Sequence, residues 1–169
     1  MTKVCFSLAS AFIMSVFSSS LLAHSGHEHD SNVAALEVHN AQVREFLPTA
    51  KSSVAYLTLV NHSDTDTVLT KASIDGLARV EIHQHTHVDG MMKMQQVASL
   101  PIAAHQHVDF KPGGYHLMVF EPIEPLKVGQ HRKLTLYFSD GNRVFTNAEV
   151  VSLASQAEQS NASKSHNHH

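Results

Sequence analysis

Apolar and polar residues alternate with a period of two through the middle of this chain, and clusters of turn-forming residues break the alternation about every ten residues. SVAYLTLV (53–60) is β-branched and aromatic and runs into the turn cluster NHSDTD (61–66). VLTKASI (68–74) closes at Asp75-Gly76, RVEIHQHTHV (79–88) closes at Asp89-Gly90, and MMKMQQV resumes directly after it. HVDF (107–110) leads through Lys111-Pro112-Gly113-Gly114 into YHLMVF, and LTLYF (134–138) turns at Asp140-Gly141-Asn142 into RVFTNAEVV. No stretch repeats apolar residues at helical spacing. Short strands joined by tight turns predict an all-β sandwich or barrel, one domain over residues 33–153.

The two ends break this pattern. Lys3, the apolar run Val4–Phe17 and the small residues up to Ala23 predict a secretory signal peptide over 1–23. The segment is too short for a stable membrane span. Leu21 occupies a position where a small residue is usual, so the cut could shift by a few residues. Cleavage near His24 removes Cys5, the single cysteine, and makes the chain one charge more negative than its formal −3. The exported domain then has no disulfide, no thiolate ligand and no thiol nucleophile. HSGHEHDSN (24–32) is a polar, histidine-rich lead-in, and residues 154–169 read as a disordered tail that also ends in histidines.

Charge and composition narrow the function. The low charged fraction, 16%, and the absence of basic runs give no nucleic-acid surface. No Ser-His-Asp order, carboxylate pair or phosphate loop stands out, so the chain does not read as an enzyme. The unusual resource is 15 histidines, some of them close to methionines.

Asp89-Gly90 between alternating segments predicts a hairpin. With those two residues as the loop, Val88 pairs with Met91, His85 with Met94 and His83 with Gln96. Residues two apart on a strand share a face. His83, His85 and His87 therefore lie together, and Met94 is opposite His85 and diagonal to His83. His116 and Met118 likewise share one face of YHLMVF, and Pro112-Gly113-Gly114 is read as letting that strand end approach a neighbouring loop closely.

Thioether sulfur is soft and neutral and favours Cu(I), while imidazole accepts either copper oxidation state. Two of each suit a cuprous ion in an oxidising compartment, where paired thiols tend to form disulfides. The lack of cysteine argues against a blue-copper carrier, and Met is a poor zinc ligand. Against this stand two simpler readings: a strand Met is often core filler, and His-x-His-x-His is often a solvated face.

The spacing H-x10-M-x21-H-x-M, filled by His83, Met94, His116 and Met118, resembles the motif of the periplasmic PCu(A)C copper chaperone family. The surroundings DGMMKM (89–94), FKPGGYHLMVF (110–120), PLKVGQ (125–130) and LTLYF (134–138) are also similar, over about residues 36–150. The resemblance implies a cupredoxin-like Greek-key β-barrel or sandwich. It also implies Cu(I) bound by those four residues, a periplasmic location, and delivery of copper to the CuA-bearing subunit of cytochrome c oxidase, with other periplasmic copper carriers as further partners. His85 and His87 depart from the pattern and could share or replace His83, and Met91 and Met92 are spare thioethers.

His24, His27 and His29 at one end, and His166, His168 and His169 at the other, form clusters better suited to Cu(II) than to Cu(I). They could capture copper for the main site or be plain solvated tails. His39, His62, His105, His107 and His131 lack such neighbours and are read as ordinary surface histidines. Two rival functions remain open: copper or zinc buffering by the tails, and an oxidase with His24 as an N-terminal copper brace.

Overall fold

The computed structural model describes residues 34–88 and 90–155. The expected leader 1–23, the lead-in with His24, His27 and His29, and the tail carrying His166, His168 and His169 lie outside the described residues. All ten elements named here are strands: β1 (Leu36–Arg44), β2 (Ser52–Asn61), β3 (Thr67–Ile74), β4 (Leu77–Val88), β5 (Met91–Gln96), β6 (Leu100–Ile102), β7 (His107–Phe110), β8 (Tyr115–Pro122), β9 (His131–Phe138) and β10 (Arg143–Val151). Among the described residues no helix is long and apolar enough to cross a membrane.

Hydrogen bonds join the strands in the order β5-β4-β8-β7-β2-β1-β10-β9-β3-β6, with β8 also pairing β2. The sheet is mixed, since β1 runs parallel to β10 and β7 parallel to β8. It is also open. The two ends of the order, β5 and β6, are not paired to each other, so the ladder does not close into a barrel. β6 is not apparent in the sequence pattern because it is three residues long with Pro101 at its centre. Proline cannot donate to a ladder and is tolerated at a sheet edge, where β6 lies.

Alternation places the core. On β2, Ala55, Leu57 and Leu59 are buried while Tyr56 and Thr58 are half-buried on the other face. Leu117 and Val119 do the same on β8 and Ile82 on β4, packing with Val43, Leu69, Leu134, Leu136 and Val150 in one cluster. Each such side chain contributes about 1.5–3 kcal/mol relative to exposure. β5 differs from its neighbours. All six of its residues are exposed and none belongs to the core cluster. It is tied to the fold by its hairpin to β4, in the register Val88↔Met91, His85↔Met94 and His83↔Gln96, as the Asp-Gly signal predicts. Gly90 takes φ +77°, a left-handed conformation that favours glycine.

Candidate metal centre

β4 and its two neighbours, β5 and β8, carry the candidate residues on the face away from the core. Because β4 and β8 are antiparallel with His83 directly opposite His116, the outer face reads as rows: Arg79 opposite Phe120, Glu81 opposite Met118, His83 opposite His116. On the other side of β4, Met94 is opposite His85 and Met92 opposite His87. Leu117, between His116 and Met118, is fully buried on the core side.

His116 is 2% exposed although it sits on the outer face. Its cover is local. The His85 ring stacks on it with centroids 4.7 Å apart, and the His83 ring lies tilted with centroids 5.9 Å away. Met94 reaches over from β5 to bring Sδ within 3.1 Å of His116 Nε2. Adjacent strands are about 4.8 Å apart, so this thioether spans the width of β4 to get there. Met94 is itself 50% exposed, with Met91, Met92 and Val88 also open to solvent. The centre is thus a buried imidazole under an exposed thioether.

The tautomer of His116 follows from its other nitrogen. Nδ1 lies 3.2 Å from the Gly114 carbonyl, which can only accept, so Nδ1 carries the proton and donates. Nε2 then holds a lone pair in the neutral ring. It faces a second lone-pair atom, Met94 Sδ. Burial holds the His116 pKa below its ordinary value, with the Gly114 hydrogen bond working against that and the neighbouring His85 and His83 adding to it. The neutral, ligand-competent ring is therefore favoured.

His83 is also anchored on one side. Its Nε2 donates to Glu81 Oε2 at 2.8 Å, and its Nδ1 is buried with no protein partner. Glu81 is paired in turn with Arg79. The His83 hydrogen bond, with Arg79 beside it, holds the Glu81 carboxyl below the usual carboxylate range against a smaller opposing effect of burial. His85 Nδ1 is a second buried nitrogen without a protein partner. An unpartnered buried polar atom costs about 1–3 kcal/mol. Such atoms, around a His116 Nε2 that faces a thioether, fit a cation as the missing partner. Among the described residues no three His, Cys, Asp or Glu side chains converge as a ligand group. A site here needs sulfur to complete it, and the donors at hand suit soft Cu(I).

The structure therefore brings His83, His85, His116 and Met94 together. Met118 shares the face and is half-buried, opposite Glu81. His87 lies exposed toward the hairpin end. Gly113 has a different role from close approach: a Cβ there would meet nothing within 4 Å, and the residue is favoured by its φ of +80°. The useful group in that loop is the Gly114 carbonyl, which accepts from both His116 Nδ1 and the His85 backbone N–H at 3.1 Å. Glu81 and Arg79 were not apparent from sequence as part of the site, although Glu-x-His is a spacing that places both side chains on one strand face.

Residues 36–150 match the model of the LpqE-like family. The chain belongs to the LpqE-like family. RP573 of Rickettsia prowazekii (strain Madrid E) is 33% identical to this LpqE-like chain over 101 residues, 59% of the chain and 56% of the relative. The chain thus spans little more than half the length of that curated relative. Among solved structures, Cu(I)-DR1885 from Deinococcus radiodurans is 31% identical with a TM-score of 0.58, covering 72% of this chain and 83% of that one. The apo PCuAC domain from PmoF1 aligns with a TM-score of 0.59 at 20% identity, covering 71% and 96%. The copper-bound PCuAC domain from PmoF2 aligns with a TM-score of 0.58 at 19% identity, covering 71% and 95%. The LpqE-like chain thus shares its fold with PCuAC domains, some of them copper-bound.

Proposed function

We propose that this LpqE-like protein is a Cu(I) chaperone that carries one cuprous ion on His83, Met94, His116 and Met118 and passes it to an acceptor protein. The observation that carries the reading is the pair His116 Nε2 and Met94 Sδ, two lone-pair atoms held 3.1 Å apart in a site where the other imidazole nitrogen is already bonded. A soft cation between or beside them satisfies both. The likeness to Cu(I)-DR1885 supports the same cargo.

Transfer follows from where the donors sit. His116 and His83 are fixed by the β4–β8 ladder, whereas Met94 comes from a strand with no residue in the core cluster and is half exposed. An incoming ligand displaces the thioether first, and neutral donors release copper without separating charge. The acceptor implied by the family resemblance is the CuA-bearing subunit of cytochrome c oxidase. The compartment is the periplasm, reached by cleavage of the 1–23 leader, and the framework is cupredoxin-like. The histidine-rich ends collect Cu(II) or raise copper concentration near the domain. The protein is a carrier and not an enzyme.

Competitive titration with a Cu(I) chelator tests this directly. One Cu(I) per domain is expected, and Met94→Ala with Met118→Ala should abolish it; full affinity in that double variant would refute the site. Incubating the Cu(I)-loaded protein with an apo CuA domain separates chaperone from buffer: transfer is expected, and retention would indicate storage.

A further inference from the structure

The Arg79–Glu81–His83 chain extends beyond the four residues assigned to copper. Arg79 sits over Phe120, guanidinium carbon 3.8 Å from the ring centroid, and pairs with Glu81. Glu81 in turn accepts the Nε2 hydrogen of His83 at 2.8 Å. Both carboxylate and imidazole are well covered, 17% and 15% exposed at the side chain, so the link is shielded from water. The remaining nitrogen of His83, Nδ1, is buried with no protein partner. His116 is arranged the other way round, with Nδ1 tied to the Gly114 carbonyl and Nε2 facing Met94. Metal-bound imidazoles commonly donate their second N–H to a carboxylate or a carbonyl, which fixes ring and tautomer.

We propose that Glu81, steadied by Arg79 on Phe120, is a positioning residue that commits His83 to meet copper through Nδ1, while the Gly114 carbonyl commits His116 to Nε2. The inference rests on the Cu(I) reading of the site given above. It makes the two histidines inequivalent, one anchored by a carboxylate and one by the backbone. Only the carboxylate anchor is open to mutation. Its removal frees the His83 ring to turn over and present either nitrogen.

Long-range proton–nitrogen correlation spectra of the 15N-labelled protein, before and after Cu(I) addition, read out which imidazole nitrogen binds. Nδ1 of His83 and Nε2 of His116 are expected to shift, with Nε2 of His83 keeping its proton. Glu81→Ala should lose that selectivity at His83 and weaken Cu(I) binding about 10- to 100-fold in chelator competition. Glu81→Gln retains an oxygen that accepts the same hydrogen, so the nitrogen pattern and most of the affinity should return. Copper on Nε2 of His83 in the native protein would overturn the proposal, as would Glu81→Ala binding Cu(I) with unchanged affinity and pattern. If Glu81→Ala does not fold, judged from its amide spectrum, the native pattern and Glu81→Gln decide. The site itself fails separately: then neither the histidine nitrogens nor the Met94 and Met118 methyls respond to Cu(I). Response of His116 and the methyls without Nδ1 of His83 leaves the site standing and removes the role of Glu81.

Discussion

On the β1–β2 side of the molecule, His39 and His62 both turn Nε2 toward Glu37, at 3.3 and 3.1 Å, and His105 turns Nε2 toward Asp64 at 2.9 Å. These rings are exposed and each has a carboxylate for company. On the β4–β8 face, His83 and His85 each keep a buried nitrogen without a protein partner, and His116 Nε2 faces only a thioether. The residue type is the same in both groups. What separates them is whether the protein already satisfies the imidazole. A surface histidine beside a carboxylate is complete as it stands, whereas a buried lone pair beside a sulfur atom is completed, in the function proposed above, by a cation.

That contrast can be broken by substitution. His116→Ala should lower Cu(I) affinity by more than about 100-fold, since losing an outer partner of a metal ligand alone costs about 10- to 100-fold. A His39→Ala, His62→Ala double variant of the other group should leave Cu(I) affinity within about twofold, its exposed pairs being worth about 0–1 kcal/mol. Chelator competition on both proteins checks this, and equal losses would erase the distinction. His85 sharpens it further. Its ring covers His116 by stacking, so His85→Ala should weaken Cu(I) binding less than His116→Ala does, with His85→Phe restoring the cover. A loss as large as that of His116→Ala would instead make His85 a ligand.

Acid gives a third handle. Burial, the largest cause, disfavours the protonated form of His116 in the fold, so the unfolded chain binds its proton more readily. The neutral ring contributes fully above the ordinary histidine pKa of about 6.5, and that contribution is lost as the pH falls from there through the lowered folded value. Urea unfolding of the apo protein between pH 7 and 5 should show falling stability, and His116→Gln should flatten the slope; identical slopes would contradict it. The smallest effect belongs to the carboxylate of the other group. Glu37→Gln should change stability by less than about 1 kcal/mol and copper binding not at all, as denaturation and titration would show.

Much of this arrangement is legible in the amino-acid sequence, because it is local. Asp89-Gly90 and the period of two fix the β4–β5 register, and with it Met94 opposite His85. His-x-Met puts His116 and Met118 on one face by the same rule. The long-range pairing of β4 with β8 is different: His83 and His116 are far apart in sequence, and nothing local sets them opposite each other. Arg79, Glu81 and His83 share one face of β4 by the local period of two, so within that chain only the seating of Arg79 on Phe120 depends on the pairing of β4 with β8. Closure of the sheet is likewise a non-local property, and here the ladder stays open between β5 and β6. The choice between His83 and His85 also turns on three-dimensional detail: His85 is opposite Met94 and stacked on His116, while His83 is opposite His116 and anchored by Glu81.

X-ray absorption at the copper edge of the Cu(I)-loaded protein addresses the donor set without any mutation. Two sulfur and two nitrogen neighbours are expected. A first shell made of nitrogen and oxygen alone would place the copper on histidines elsewhere and contradict a thioether–imidazole site on β4, β5 and β8.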